Sequence, residues 1–429
     1  MTYSTDTRSI QPGEIYVAIR GEVHDGHRFI PQAIEKGASG IVTEQDVEAP
    51  EGVEVIRVES SEDYLVATAS EKLRQSGARV VAITGSIGKT TTRAALHAVL
   101  AQSFPVVPSE GNRNTPLGLS LLVLNREITA DSVLVLEMGA RLKGDIKTLC
   151  EHFPPDISVV TNVRGVHVET FGSIDGVQRE KSELVRALGP EAVAVLNADD
   201  PRTRAMADLH EGTTLLYGRA EDAELRPDAV RVDLPILGDH AILTALSAVA
   251  VGRALGMDDD AIQRGLAAIQ PEKGRLAKLP GRDGSTLIDD TYNASPDAAL
   301  AALDVLAGLP SERRIAVLGD MLELGETEVE QHIDVLRAAT ERADRVIAVG
   351  AIMARAAPSV PGVEPVATSA DLAESIRQRG VDWPREGDVI LVKGSQGARM
   401  ERVSEAVLSP DVEASDVLPR QTPQWKAIP

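Results

Sequence analysis

Short aliphatic runs alternate with longer Ala- and Leu-rich amphipathic stretches along most of the 429 residues, the pattern of an α/β protein. From Arg79 onward, VVAIT, SVLVLE, ISVVTN and AVAVLN carry no polar alternation, which predicts parallel strands buried on both faces with helices between them. A second series, TLIDD, RIAVLGD, RVIAVG and DVILVKGS, follows the turn-rich PGRDGS and predicts a smaller, Rossmann-like sheet. Before Arg79, EIYVAIRG and GASGIVTE predict two strands around the helical FIPQAIEKG, an independent segment. Three domains follow, at residues 1–78, 79–281 and 282–429, which suits a chain too long for one ordinary core. Beyond about Leu408, Pro and acidic residues without apolar periodicity predict a loosely ordered tail.

Charge then narrows the ligands. A formal net charge of −21 argues against a broad nucleic-acid or anionic-membrane surface, so any anionic ligand must be gripped locally. No stretch approaches a membrane span, and the polar MTYSTDTRS lacks the apolar core of a secretory signal, so a cytoplasmic protein without membrane insertion is expected. Cys150, the single cysteine, cannot form an intrachain disulfide and reads as a small buried residue.

The first piece of chemistry is TGSIGKTTT, Thr84 to Thr92, set between the strand VVAI and the helical RAALHAVLAQ. In that setting backbone N–H groups and a helix N-terminus cradle phosphate. Gly85 and Gly88 allow close backbone approach, Ser86 and Thr91 line the loop, Lys89 reaches the β- and γ-phosphates, and Thr90 is placed to ligate magnesium. The general phosphate-loop pattern has glycine where this chain has Ile83, and a chance glycine turn is the competing explanation. Glu137 ends the strand SVLVLE, where a carboxylate can hold magnesium and would be costly to bury alone.

Together with STDTR, DGHRF, EGNRN, LEMGA, TNVRGVHVETFGS, REKSEL, LNADD, KGRL, DDTYNASP, LGDMLELG and LVKGS, in this order, the loop resembles the Mur ligase family of peptidoglycan synthesis. Within that family it is most similar to the members that add D-alanyl-D-alanine to a UDP-N-acetylmuramoyl-tripeptide. The resemblance runs from about Ser4 to Leu408. It implies an N-terminal domain for the UDP part of the acceptor, a central P-loop ATPase domain and a C-terminal Rossmann-like domain. The implied reaction uses ATP and Mg2+ to phosphorylate a substrate carboxylate, after which an amine, from a dipeptide or amino acid, attacks the acyl phosphate. A monomer is expected.

The same resemblance assigns individual residues. His167 would be a second magnesium ligand, and Lys181 matches a lysine that the family carbamylates, turning a cation into an anionic oxygen ligand. Asn197 would sit near the nucleotide, although a strand-end turn also explains it; Arg275 matches an arginine that contacts ATP phosphate, with a solvated basic residue as the competitor. Asp290 would bind ribose, with Tyr292 and Asn293 nearby, while Pro296 after a capping Ser295 could simply start a helix. Ser4, Thr5, Asp6, Thr7 and Arg8 match the uridine-nucleotide loop and Asp25, Gly26 and His27 its companion; polar turns would explain both. Asn112 and Asn114 fall where substrate is oriented, and Lys393 and Ser395 would approach the amino substrate.

Departures from the family pattern are local. Arg113 interrupts an adjacent Asn pair, Ala241 and Thr244 replace asparagines, the first of them associated with the adenine base, and the chain starts almost directly at STDTR. A Mur-like ligase joining another acid and amine, and a nucleotide-binding partner protein without catalysis, are the alternatives. The retained Lys89, Glu137, His167 and Lys181 argue against the latter.

Overall fold

A computed structural model describes residues 1–21, 24–109, 113–165, 168–238 and 240–428. Their strands form three sheets. The first is β1 (Tyr3–Ser4), β2 (Ile15–Val17), β3 (Gly40–Thr43) and β4 (Glu54–Arg57), all parallel and in that order. The second holds β5 (Arg79–Thr84), β6 (Val106–Pro108), β7 (Val133–Glu137), β8 (Ile157–Val160), β9 (Val193–Asn197) and β10 (Thr213–Tyr217), again all parallel, in the order β10-β9-β8-β5-β7-β6. The third holds β11 (Ala277–Pro280), β12 (Thr286–Asp290), β13 (Arg313–Gly319), β14 (Arg345–Val349), β15 (Val363–Val366) and β16 (Asp388–Lys393), in the order β11-β12-β16-β13-β14-β15, with only β11 antiparallel.

The chain divides into two compact units, Met1–Ala229 with Leu246–Gly265, and Val230–Ala245 with Leu266–Pro429. The segment before Arg79, expected to be independent, shares a core with the second sheet. Ile15, Val17, Val42 and Leu65 pack in one cluster with Leu119, Leu134 and Leu136. The reason lies in helix Ser61–Ser76, whose apolar residues pack against helix Pro116–Asn125 as well as against its own small sheet. Polar contacts reinforce that joint: Lys72 Nζ donates to the carbonyls of Leu124 and Arg126, and Asn125 exchanges two hydrogen bonds with the backbone of Tyr3.

In the second sheet β5 lies between β8 and β7, so the chain leaves it toward opposite edges at this point. Crevices at such a reversal, outside the carboxyl ends of the strands, are the usual ligand sites of open parallel sheets. Helix Lys89–Leu100 follows β5 (Arg79–Thr84) across the loop of residues 85–88 and is seated by Gly265, where an added Cβ would stand 2.4 Å from Val99 Cα. Cys150 is buried as expected, and burial pushes its thiol up to about 12, leaving it unreactive.

Residues 409–428, expected to be loosely ordered, are instead fixed to the second unit. Leu418 is buried in the cluster with Leu287, Ile390 and Val403, and Arg399 donates to the carbonyls of Trp425 and Ile428. Those anchors are contributed by distant residues and carry no local periodicity. Among the described residues no helix is long and apolar enough to cross a membrane.

Candidate active site

The phosphate loop is built by glycine conformation and by partners about 75 residues away. Gly85 has φ +149° and Gly88, which opens the helix, has φ +86°. A Cβ on Gly85 would stand 1.9 Å from Thr161 Oγ1, so this backbone approach admits no side chain. Thr161 Oγ1 donates to the carbonyl of Ile87 (2.7 Å), Asn162 accepts from Ile87 N (3.0 Å) and returns its amide to Ile87 O (3.0 Å), and Arg164 N donates to Ser86 Oγ (2.9 Å). The loop is therefore held in shape by TNVRG, whose Thr161, Asn162 and Arg164 received no role from sequence reading.

Lys89 Nζ folds back on the carbonyl of Gly85 at 2.7 Å. Thr90 Oγ1 donates to Glu137 Oε2 at 3.1 Å, because the register of β5 with β7 sets Ile83 beside Glu137. Glu137 is buried; Ser109 Oγ receives its backbone N–H, and Arg93 lies 3.9 Å from its carboxylate. Arg93 was missed in the sequence, although a basic residue four positions after Lys89 faces the same side of the helix. Thr91 is half-buried in the first turn.

Lys181 is buried on helix Ile174–Arg186. Burial, assisted by repulsion from Lys89 and opposed by Glu180, pushes its ammonium down to about 7. Glu180 is engaged elsewhere, accepting from the backbone of Gly144 (2.8 Å) and Ile146 (3.0 Å). Asn197 donates to the carbonyl of Thr161 (2.8 Å), which ties the end of β9 to the loop's scaffold, and its Oδ1 accepts from Asp199 N. Asn114 packs over Gly139, where a Cβ would meet its amide at 2.4 Å. His167 and Asn112 lie outside the described residues.

At the first sheet, the STDTR and DGH turns meet around Tyr16. Its hydroxyl donates to the carbonyl of Gly26 (2.9 Å), and burial, with the charges of Asp6 and Asp25, pushes it up to about 12. Asp25 accepts from both the backbone and Nδ1 of His27, and His27 Nε2 accepts from Glu44 N (3.0 Å), which fixes the neutral tautomer with its proton on Nδ1. Ser4 and Asp6 close a turn on each other, Thr5 is half-buried beside them, and Thr7 Oγ1 donates to Gln32 (2.7 Å). Arg8 is exposed and, among the described residues, paired with Asp6.

The second unit gathers its own group. Parallel register sets Asp290, at the end of β12, opposite Lys393 at the end of β16. Their side chains pair at 2.6 Å, and Lys393 also donates to the carbonyl of Asn293 (3.0 Å). Ser395 Oγ donates to the carbonyl of Ala294 (3.3 Å) and accepts from Leu322 N (3.0 Å). Lys393 and Ser395 are both buried, so they shape this turn from beneath. Arg275 stacks 4.2 Å over the ring of Tyr292, and Ser295 caps the helix begun by Pro296. Ala241 and Thr244 are buried.

A glycine-built phosphate loop at the sheet reversal, with a hydroxyl and a carboxylate meeting at its end, defines a P-loop nucleotide-binding α/β protein. Comparison with known proteins narrows that class. Residues 2–72 match the Mur ligase family catalytic domain, 83–252 the Mur ligase middle domain, and 274–396 the Mur ligase glutamate ligase domain. The UDP-N-acetylmuramoyl-tripeptide–D-alanyl-D-alanine ligase of Bacillus subtilis is 30% identical over 425 residues, covering 93% of this chain and 91% of that protein. The Escherichia coli enzyme of the same name is 32% identical over 428 residues, covering 94% and 93%. Among solved structures, MurF from Acinetobacter baumannii aligns with TM-score 0.84 at 28% identity, covering 94% of this chain and 92% of that one. MurF ligase from Thermotoga maritima in complex with ADP aligns with TM-score 0.82 at 30% identity, covering 94% and 96%. The chain belongs to the Mur ligase family.

Proposed function

We propose that this protein is the cytoplasmic, monomeric, ATP-dependent and ADP-forming ligase that adds D-alanyl-D-alanine to a UDP-N-acetylmuramoyl-tripeptide in peptidoglycan synthesis. The observation that carries the reading is end-to-end likeness, 93–94% of the chain, to enzymes that bear this name. Residues 1–78 bind the UDP-linked acceptor through Ser4–Arg8 and Asp25–His27, residues 79–281 bind ATP, and residues 282–429 form the Rossmann-like domain. Arg275 and Asp290 also serve ATP, and Asn112, Asn114, Tyr292, Asn293, Lys393 and Ser395 serve the acceptor and the dipeptide.

In the reaction a carboxylate oxygen of the tripeptide attacks the γ-phosphorus and ADP leaves. The dipeptide amine then attacks the acyl carbon, and phosphate leaves as the amide forms and the nitrogen loses a proton. The loop N–H groups and Lys89 hold the phosphate charge through the first step, which is where electrostatic preorganisation matters most. Lys89 must exchange its contact with the Gly85 carbonyl for phosphate. The residues fit magnesium: Thr90 and Glu137 converge as oxygen donors of the kind a hard cation takes, and His167 and Lys181 complete the assigned set. Bound there, magnesium supplies neutralising charge at the transferring phosphoryl group.

A depressed ammonium makes Lys181 a fit site for carbamylation, since the free amine is the form that bonds to carbon dioxide. The test of the whole reading is ADP release with UDP-N-acetylmuramoyl-tripeptide and D-alanyl-D-alanine, compared with single amino acids in place of the dipeptide. Equal or greater turnover with a single amino acid, or with another acid, would transfer the assignment to a different ligase of the family.

A further inference from the structure

Strand β12 ends at Asp290, and the chain that follows carries carbonyls that no neighbouring strand satisfies. Buried backbone acceptors of this kind need donors from elsewhere. Arg420, 128 and 129 positions away, supplies them: Nη1 donates to the carbonyl of Thr291 at 2.9 Å and Nη2 donates to that of Tyr292. The arginine is itself buried and held by Glu401 at 3.5 Å, and Glu401 is fixed in turn by Arg399 at 2.6 Å. Arg399 grips the same segment from the other side through the carbonyls of Trp425 (2.8 Å) and Ile428 (3.1 Å).

The segment also holds the second loop. Lys273 Nζ donates to the carbonyl of Ser415 at 2.8 Å, and Gly274 is packed so closely that a Cβ would stand 3.0 Å from both Pro419 Cγ and Tyr292 N. Gly274 O accepts from Tyr292 N at 3.0 Å, joining the two loops directly. The Tyr292 ring then carries two guanidinium groups, Arg275 at 4.2 Å and Arg420 at 5.3 Å from its centre. Residues 415–420 therefore touch both KGRL and DDTYN, the two stretches of this unit from which nucleotide-contacting residues are drawn.

We propose that Arg420 is a positioning residue for nucleotide use: it sets the backbone at Thr291 and Tyr292, and through the Tyr292 ring the direction of the Arg275 guanidinium. This rests on the assignment of Arg275 to ATP made above. No contact of Arg420 with ATP is involved.

The experiment is a double-mutant cycle in the full-length protein, using Arg275→Ala, Arg420→Ala and both together, with steady-state ADP release as the readout. Arg420→Ala removes a charged donor from two carbonyls and should raise the KM for ATP about tenfold. The KM for ATP should rise well beyond those for the UDP-linked acceptor and the dipeptide, whose smaller rises come through Tyr292, a split that general loosening of the fold would not give. In the Arg275→Ala background, Arg420→Ala should add little, because it acts through the missing side chain. Should thermal unfolding show Arg420→Ala misfolded, Arg420→Lys carries the same comparison, since an ammonium cannot serve both carbonyls and Glu401 in the fork geometry. A raised KM for ATP in Arg275→Ala with an unchanged one in the Arg420 variant overturns the proposal alone, as do effects that multiply in the double variant. An unchanged KM for ATP in Arg275→Ala overturns the assignment it rests on as well.

Discussion

Lys181 offers a prediction whose size can be worked from its surroundings. At its ordinary value of 10.5 only roughly three lysines in ten thousand are neutral at pH 7, whereas a group pushed down to about 7 is about half neutral. Burial therefore raises the supply of free amine roughly a thousandfold. Carbamylation joins the amine nitrogen to the carbon of CO2 and releases one proton. Above pH 7 the dissolved CO2 needed for half-maximal activity should thus fall about tenfold per pH unit; below pH 7, where the amine must first lose a second proton, it should rise about a hundredfold per unit of acidification. The assay is ADP release in decarbonated buffer across pH 6 to 9, titrated with bicarbonate, with Lys181→Ala as the control. Lys181→Ala should be nearly inactive and partly rescued by a small carboxylate. A requirement that falls about a hundredfold per pH unit across the whole of that range, with no break near pH 7, would refute the depressed ammonium. Full activity of folded Lys181→Ala, with unchanged magnesium dependence, would refute the carbamate itself.

Three further outcomes follow from contacts already described. Gly85→Ala forces a Cβ to within 1.9 Å of Thr161 Oγ1 and should cost roughly a hundredfold or more in ADP formation; wild-type turnover by the folded variant would remove this loop from the mechanism. Arg8→Ala strips an exposed cation from the acceptor loop and should raise the KM for the UDP-linked peptide while leaving that for ATP unchanged, and the reverse pattern would sink the assignment. Asp289 is raised to about 7, chiefly by burial and against hydrogen bonds from Ser404 and Thr291, so the stability it contributes is complete below about pH 4 and lost as pH rises through 7. Asp289→Asn should therefore gain thermal stability relative to the parent between pH 5 and pH 8; a difference that does not change with pH would contradict this.

The strands legible in the sequence are the inner ones. VVAIT, SVLVLE, ISVVTN and AVAVLN became β5, β7, β8 and β9 because burial on both faces demands continuous aliphatic runs. All six strands that escaped notice are sheet edges: β1, β4, β6, β10, β11 and β15. Edges relax that demand. β1 has two residues, β4 exposes Glu54, Val55 and Arg57, and β6, β11 and β15 each contain a proline, which the open side of an edge strand tolerates. The site divides in the same way. Gly85, Gly88, Lys89 and Thr90 stand in one contiguous motif, but the partners that shape it, Thr161, Asn162, Arg164 and Ser109, reach it only through strand order. Asp290 and Lys393 were each singled out separately, yet their pairing depends on β12 and β16 being neighbours, 103 residues apart in sequence.

The hydrophobic joint between helix Ser61–Ser76 and helix Pro116–Asn125 bears on how such a protein could be recombined. A crossover near residue 78 that exchanged the first sheet for a relative's would leave Leu119, Leu122 and Val123 facing a foreign helix, with Asn125 severed from Tyr3. The same cluster continues through Leu134, Leu136, Leu149 and Leu184, so any transferred piece with an intact interior carries the phosphate loop with it. Substitutions within the loops around Tyr16 leave that interior intact, whereas grafting a ready-made module would disturb the phosphate loop in the same stroke.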